Sequence, residues 1–234
     1  MMNFKILNKE LLINTNFTKA IEERHSVRKF KSDVIEDEKV KLINNLLGEI
    51  NKKTNLSFTL VTNECEAFGG NQVHYGQFAN CHNYIVLAGS KNRDEEIGYF
   101  GEIVCLYLMG LGINSCICAL TFKRGKVKVN LKKGEAIYLV IAIGYGIDQG
   151  KAHKSKPLSK LSNLDDGKPE WFKKGVMGAI LAPTAINQQQ FYLEYINDYT
   201  VKVTRFFGPC SKMDIGIVKC NFDLSVMDLD INYI

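Results

Sequence analysis

Residues 21–30 read IEERHSVRKF, and the reading of the whole chain works outward from that stretch. Phe17, Ala20 and Ile21 recur at helical spacing behind cap candidates in residues 14–16, which predicts a short amphipathic helix ending near Arg24 and His25. The next five residues, SVRKF, read as extended. Alternate side chains of an extended segment point the same way, so Arg24, Ser26 and Arg28 are expected on one face. Arginine presents a planar fork of donors matched to phosphate oxygens, and serine adds a hydroxyl. On its own the cluster reads equally as ordinary solvated basic surface.

Downstream, a helix is expected after Asp37, with Val40, Ile43, Leu46, Leu47 and Ile50 along one face. Residues 57–62 and 83–88 read as strands, the second interior because it is almost wholly apolar. Gly69, Gly70 and Gly76 mark a loop between them. Ile97, Phe100, Val104 and Leu108 predict a buried helix from Asp94 to about Met109, opened by acids that suit the helix dipole and closed by Gly110 and Gly112. Residues 113–118 and 136–144 read as strands; Cys116 and Cys118, two apart, would face one side of the first. A polar, basic connection over 144–169 divides the chain, giving an N-terminal part, 1–160, and a C-terminal part, 161–234. The second part reads as a helix over 169–182, strands over 190–196 and 200–206, and a last helix from about Met213. Glu96-Ile97-Gly98 followed by Leu106 is echoed by Asp214-Ile215-Gly216 followed by Leu224, a faint internal repeat.

Composition narrows the function classes. The chain has 234 residues, 46% of them hydrophobic and 24% charged, which is globular rather than disordered. Thirty Lys and Arg against 25 Asp and Glu leave a net charge of +5, enough to favour anionic ligands and too little for a nucleic-acid binder. The first residues do not resemble a secretory signal, and no run is long and charge-free enough to span a bilayer, so a cytoplasmic protein with no membrane partner is expected. Seven cysteines without a CxxC pair, and scattered histidines at 74, 82 and 153, point to reduced thiols and to no metal.

Two more segments carry chemistry. Residues 144–150, GYGIDQG, leave a buried strand, but a basic loop follows rather than the helix a dinucleotide turn requires, so a Rossmann site is rejected. Lys151, His153, Lys154 and Lys156 suit a terminal monophosphate, or are simply an exposed basic loop. Residues 182–189, APTAINQQ, read as a proline-led helix start. Their small residues would let a planar ligand lie close, and Asn187 with a glutamine offers donors and acceptors to a heteroaromatic edge. The same segment also reads as a plain helix cap.

Taken together with GLGINSCICALTF at 110–122, these pieces resemble the FMN-dependent nitroreductase family, over about residues 21–189. The resemblance implies an α+β fold, a three-layer sandwich in which helices flank a mixed central sheet. It departs from the usual order, since the proline, small-residue, asparagine segment comes here after residue 180 instead of soon after the first basic cluster. That order is similar to a branch in which one chain supplies both halves of the flavin site as a pseudo-dimer, monomeric or weakly dimeric. Carried over by position, Arg24 and Ser26, with His25, would hold the FMN phosphate or ribityl chain, and Arg28 would reach the N1/O2 side of the ring. Backbone at Ala119, Leu120 and Thr121 would approach N5 and O4. His153, Lys154 and Lys156 would complete the phosphate site, and Pro183, Thr184, Ala185 and Asn187 would meet ring and ribityl from the second half. Thr184 stands where serine is usual, and Asn71 and Gln72 are the candidates for the remaining ring contacts.

The implied activity is an FMN-dependent oxidoreductase, taking hydride from NAD(P)H as co-substrate and passing electrons to a nitroaromatic, quinone or similar small-molecule acceptor. The protein would supply position and electrostatics, so no catalytic side chain is expected. The alternatives are a flavin-binding protein without catalysis and a basic polyanion-binding protein.

Overall fold

Asparagine side chains open the first three helical turns of the chain. In the computed structural model, which describes residues 2–69 and 77–234, Asn3 accepts the Lys5 amide, Asn8 the Glu10 amide and Asn16 the Lys19 amide, at 2.8, 3.0 and 3.1 Å. Each satisfies an amide that a helix start leaves unpaired. The 3-10 turn Phe4–Ile6 and the single turn α1 (Lys9–Leu12) were not expected from periodicity, being too short to show one. Helix α2 (Phe17–Glu23) follows, burying Phe17, Ala20 and Ile21, and α3 (Asp37–Thr54) buries Ile43, Leu46, Leu47 and Ile50 before ending on Asn55 at φ 57°. The Asn71, Gln72 and His74 expectations, and Gly70 and Gly76, lie outside the described residues.

Strands β1 (Ser57–Val61), β2 (Asn83–Ser90), β3 (Asn114–Cys118) and β4 (Glu135–Gly144) form one antiparallel sheet in the order β1-β2-β4-β3, with helix α4 (Asp94–Gly110) between β2 and β3 in the chain. Register makes its two faces distinct. Leu60, Ile85, Ile141 and Ile117 form a row across the sheet against the helical layer, while the adjacent row of Tyr84, Ala142 and Cys116 belongs to the core on the opposite face. Both faces of β2 are covered, which explains its lack of polar alternation.

The second part repeats a simpler version of this plan. Helix α5 (Glu170–Ala179), strands β5 (Phe191–Asn197) and β6 (Thr200–Arg205), and helix α6 (Ser211–Ser225) reproduce the helix, strand, strand, helix order of α3, β1, β2 and α4. A short β7 (Asn232–Tyr233) pairs parallel to β6, so the mixed pairing lies in this second sheet, separate from the four-stranded one.

The faint sequence echo marks where the two parts meet. Gly98 lies against the backbone of Met213, three residues before Gly216, and Gly216 lies against the backbone of Glu95, three residues before Gly98. The contact is reciprocal, as a two-fold relation between α4 and α6 requires. No side chain fits at either glycine, so the two helices pack backbone to backbone through the middle of the molecule.

Candidate functional site

Arg24 ends α2: its amide still bonds to the Ala20 carbonyl at 2.9 Å while its own backbone turns extended. From there residues 26–31 thread between two structured edges. Ser26 bridges Ser115 of β3, and the Val27 amide reaches the Ser115 carbonyl at 3.0 Å. Phe30 bridges Gly146 just past β4, while the Phe30 amide bonds to Ala79. Phe30 is fully buried and its ring fills the space beside Gly144. The basic segment is thus laid across the ends of the interior strands by backbone bonds on both sides.

Arg24, Ser26 and Arg28 all act on the Cys116 thiol, yet they are not equally open. Arg28 is exposed and Ser26 half-buried, but Arg24 is only 6% exposed. Its Nε lies 3.2 Å from Oε1 of Glu102, a wholly buried residue of α4. Helix α2 packs on α4, and the buried carboxylate there needs a counter-charge. Burial outweighs that pull and pushes Glu102 up to about 7.

The loop after β4 joins this segment to the second part. Gly150, at φ +72°, packs against His25 Cβ and the Ser26 carbonyl, where a side chain would intrude. Asn114 fastens the loop by accepting the Gly146 amide at 2.8 Å and donating to Gln149 at 2.9 Å. His153 is half-buried and its Nε2 lies 3.0 Å from the Ile180 carbonyl. Burial first, then the Arg24 and His25 charges, lowers its pKa below the usual histidine value. Next, the Lys154 carbonyl accepts from Asn187 Nδ2 and Gln189 Nε2, both at 3.0 Å. Lys156 gives its amide to Gln189 Oε1 at 2.8 Å and its ammonium to the Gln189 carbonyl at 3.1 Å. Residues 24–28, 150–156 and 180–189 are therefore contiguous through this loop.

Residues 182–190 do not begin a helix. Helix α5 has already ended at Ala179, and Ala185–Asn187 is a single 3-10 turn in which Ile186, Asn187 and then Gln189 take positive φ of 48°, 56° and 45°. Left-handed backbone is ordinary for asparagine and costly for a β-branched isoleucine. The side chains of Pro183, Thr184 and Ala185 are half-buried, and those of Ile186 and Asn187 are exposed. At the other edge, Ala119, Leu120 and Thr121 follow β3 directly, with Leu120 90% exposed.

The electrostatics of the site carry a positive sign. The thiol of Cys116 is pulled below its usual value, first by a hydrogen bond with Cys118 and, after opposing burial, by Arg28, Ser26 and Arg24. Lys154 and Lys156 remain exposed beside Asn187 and Gln189. Cations, a hydroxyl and side-chain amides around small residues fit an anionic group joined to a flat heteroaromatic one.

A model of the family described as "Putative TM nitroreductase" matches residues 16–226. The chain belongs to that nitroreductase family. Its fold is similar to that of a Thermotoga maritima protein described as a putative nitroreductase, with a TM-score of 0.69 and 22% identity over 92% of this chain and 85% of that one. It also matches an FMN-dependent nitroreductase of Clostridium difficile (22% identity, 58% and 90% of the two chains, TM-score 0.43). A third match is a nitroreductase of Desulfovibrio desulfuricans determined with FMN (16%, 66% and 98%, TM-score 0.48). No curated protein matches.

Sequence reasoning missed residues of this candidate site that carry no motif. Glu102 hides inside an otherwise apolar helix, and its only sequence signal is an acid on the buried stripe of α4. The glutamine expected beside Asn187 was not singled out by number; Gln189, only 2% exposed, is the hub between the Lys154 carbonyl, Lys156 and the Asn187 side chain. Asp214 was visible only as part of the repeat; its carboxylate reaches back to the 185–188 turn.

Proposed function

We propose that this nitroreductase-family protein is an FMN-dependent oxidoreductase that uses NAD(P)H to reduce a small electron acceptor of the nitroaromatic or quinone type. The observation that carries the reading is the loop 150–156, which touches His25 and Ser26 at one end and Asn187 and Gln189 at the other. It makes one site of two segments far apart in the chain. When bound, FMN supplies hydride and electron transfer between nucleotide and acceptor.

The chain's own residues then have distinct tasks. His25, Ser26, Lys154 and Lys156 hold the phosphate, with Arg28 toward the ring. Arg24 acts from behind, neutralising Glu102 and contributing charge. The backbone of Ala119, Leu120 and Thr121 borders one edge of the ring, and Pro183, Thr184, Ala185 and Asn187 border it from the second part. His153, whose pKa burial and its cationic neighbours lower, donates from Nε2 to the Ile180 carbonyl and so anchors the loop beside these residues.

Anaerobic mixing of the FMN-loaded protein with NADH or NADPH tests the reading. Bleaching of the flavin band, followed by its return when a quinone is added, is expected; a band that persists under excess of both nucleotides overturns the activity. Lys154→Ala with Lys156→Ala is expected to weaken FMN about tenfold or more while leaving riboflavin, which has no phosphate, unchanged. Lys151→Ala changes neither. Equal losses for FMN and riboflavin, in a fluorescence titration, contradict the phosphate assignment.

A further inference from the structure

The 185–189 turn is held in an unfavourable conformation, and one side chain outside the segment fastens it at both Ala185 and Gln188. Asp214, in the first turn of α6 and 5% exposed, accepts the Ala185 amide on Oδ1 at 3.0 Å and Gln188 Nε2 on Oδ2 at 2.7 Å. Gln188 Nε2 also donates to the Pro209 carbonyl at 2.6 Å, and Gly208 is pressed against the same side chain. The clasp therefore spans the two ends of the strained backbone, on either side of Ile186 and Asn187. A β-branched residue at positive φ is kept there only where its surroundings fix it.

The internal repeat gives independent support. Asp214 stands at the α6 position that corresponds to Glu96 on α4. In the first part the α3 to β1 connection is only Asn55 and Leu56, so it holds no turn; there Glu96 pairs with Arg93, which donates to the Thr54 carbonyl at 2.7 Å at the end of α3. In both parts an acid at the same helical place serves the exit of the preceding helix, Glu96 through Arg93 and Asp214 directly. Only in the second part does that exit carry the site.

We infer that Asp214 is a positioning residue for the flavin-facing turn, its carboxylate holding residues 185–188 in the conformation that receives the ring and ribityl chain. The inference rests on the proposed FMN site. Asp214 touches no reacting atom; it acts through Ala185 and Gln188. Burial raises its pKa to about 6, so below that pH the neutral carboxyl loses part of its capacity to accept from both donors. The charged groups brought to this end of α6 are Asp94 and Glu95 of α4, the latter paired with Lys219, together with Arg205 of β6, bonded to Ser211, and Lys212.

The test uses Asp214→Asn in the full chain. The change sets the asparagine amide against the Gln188 amide, donor to donor, while the Pro209 carbonyl keeps its own claim on Gln188. Hydrogen exchange of the peptide covering 184–190, measured without FMN, is expected to speed up in Asp214→Asn. FMN affinity is expected to fall about tenfold to a hundredfold. The wild-type fall in affinity from pH 7 to pH 5 should be smaller in Asp214→Asn, the remainder coming from protonation of the FMN phosphate, whose second pKa is about 6. Unchanged exchange overturns the positioning role whether or not FMN binds. Faster exchange with wild-type protein that takes up no FMN overturns the proposed function and leaves the clasp standing. Should Asp214→Asn not fold, Gln188→Ala, which removes one side of the clasp, must give the same faster exchange, and slow exchange there refutes it.

Discussion

Arg24 and Glu102 show how one pair can be local in chemistry and wide in effect. The pair is buried, the two oxygens of Glu102 have no hydrogen-bond donor within good geometry, and Glu102 sits at about 7 against an ordinary 4.5. Its folded pKa is raised, so between about 4.5 and 7 the folded state holds a proton that the unfolded chain has released. The stability contribution of Glu102 therefore declines as pH rises through that window. Arg24 matters most where Glu102 is charged. Arg24→Ala is expected to cost about 3–5 kcal/mol at pH 8, where it strands a buried carboxylate, and much less at pH 5. Urea unfolding of wild type and variant at the two pH values checks it; an equal cost at both contradicts the assignment.

At the scale of elements, the crossing of α4 and α6 depends on having no side chain at Gly98 and Gly216, because each faces a backbone carbonyl rather than a movable side chain. Gly98→Ala or Gly216→Ala should destabilise by about 1–3 kcal/mol or more, as overpacking does, read as a lower midpoint in thermal unfolding. Gly48→Ala on α3, where nothing lies within 4 Å, should be neutral or slightly stabilising. Long amphipathic or wholly apolar stretches such as α3, α4, β2 and β4 were legible in the sequence because burial imposes their period. The 182–190 turn was not. Its proline and small residues suit a helix start, and what shapes it instead is tertiary: Asp214 accepts the Ala185 amide, and the Lys154 carbonyl accepts from the Asn187 side chain. The burial of Arg24 was illegible for a related reason, since its partner Glu102 lies on another element and leaves no periodic trace around residue 24.

The whole molecule joins two unequal copies of one plan around the α4–α6 contact, and among the described residues no helix is long and apolar enough to cross a membrane. The copies are not equivalent at their edges. Only the second keeps an extended connection between its first helix and first strand, and only the first has the basic segment at 24–28. On the proposed reading that asymmetry gives one site per chain, with its halves contributed by distant segments. Titration of the purified, flavin-stripped protein with FMN, followed by quenching of flavin fluorescence and referred to chain concentration, measures it directly. The account predicts saturation at one FMN per chain. Two per chain, one per two chains, or no quenching at micromolar FMN would contradict it.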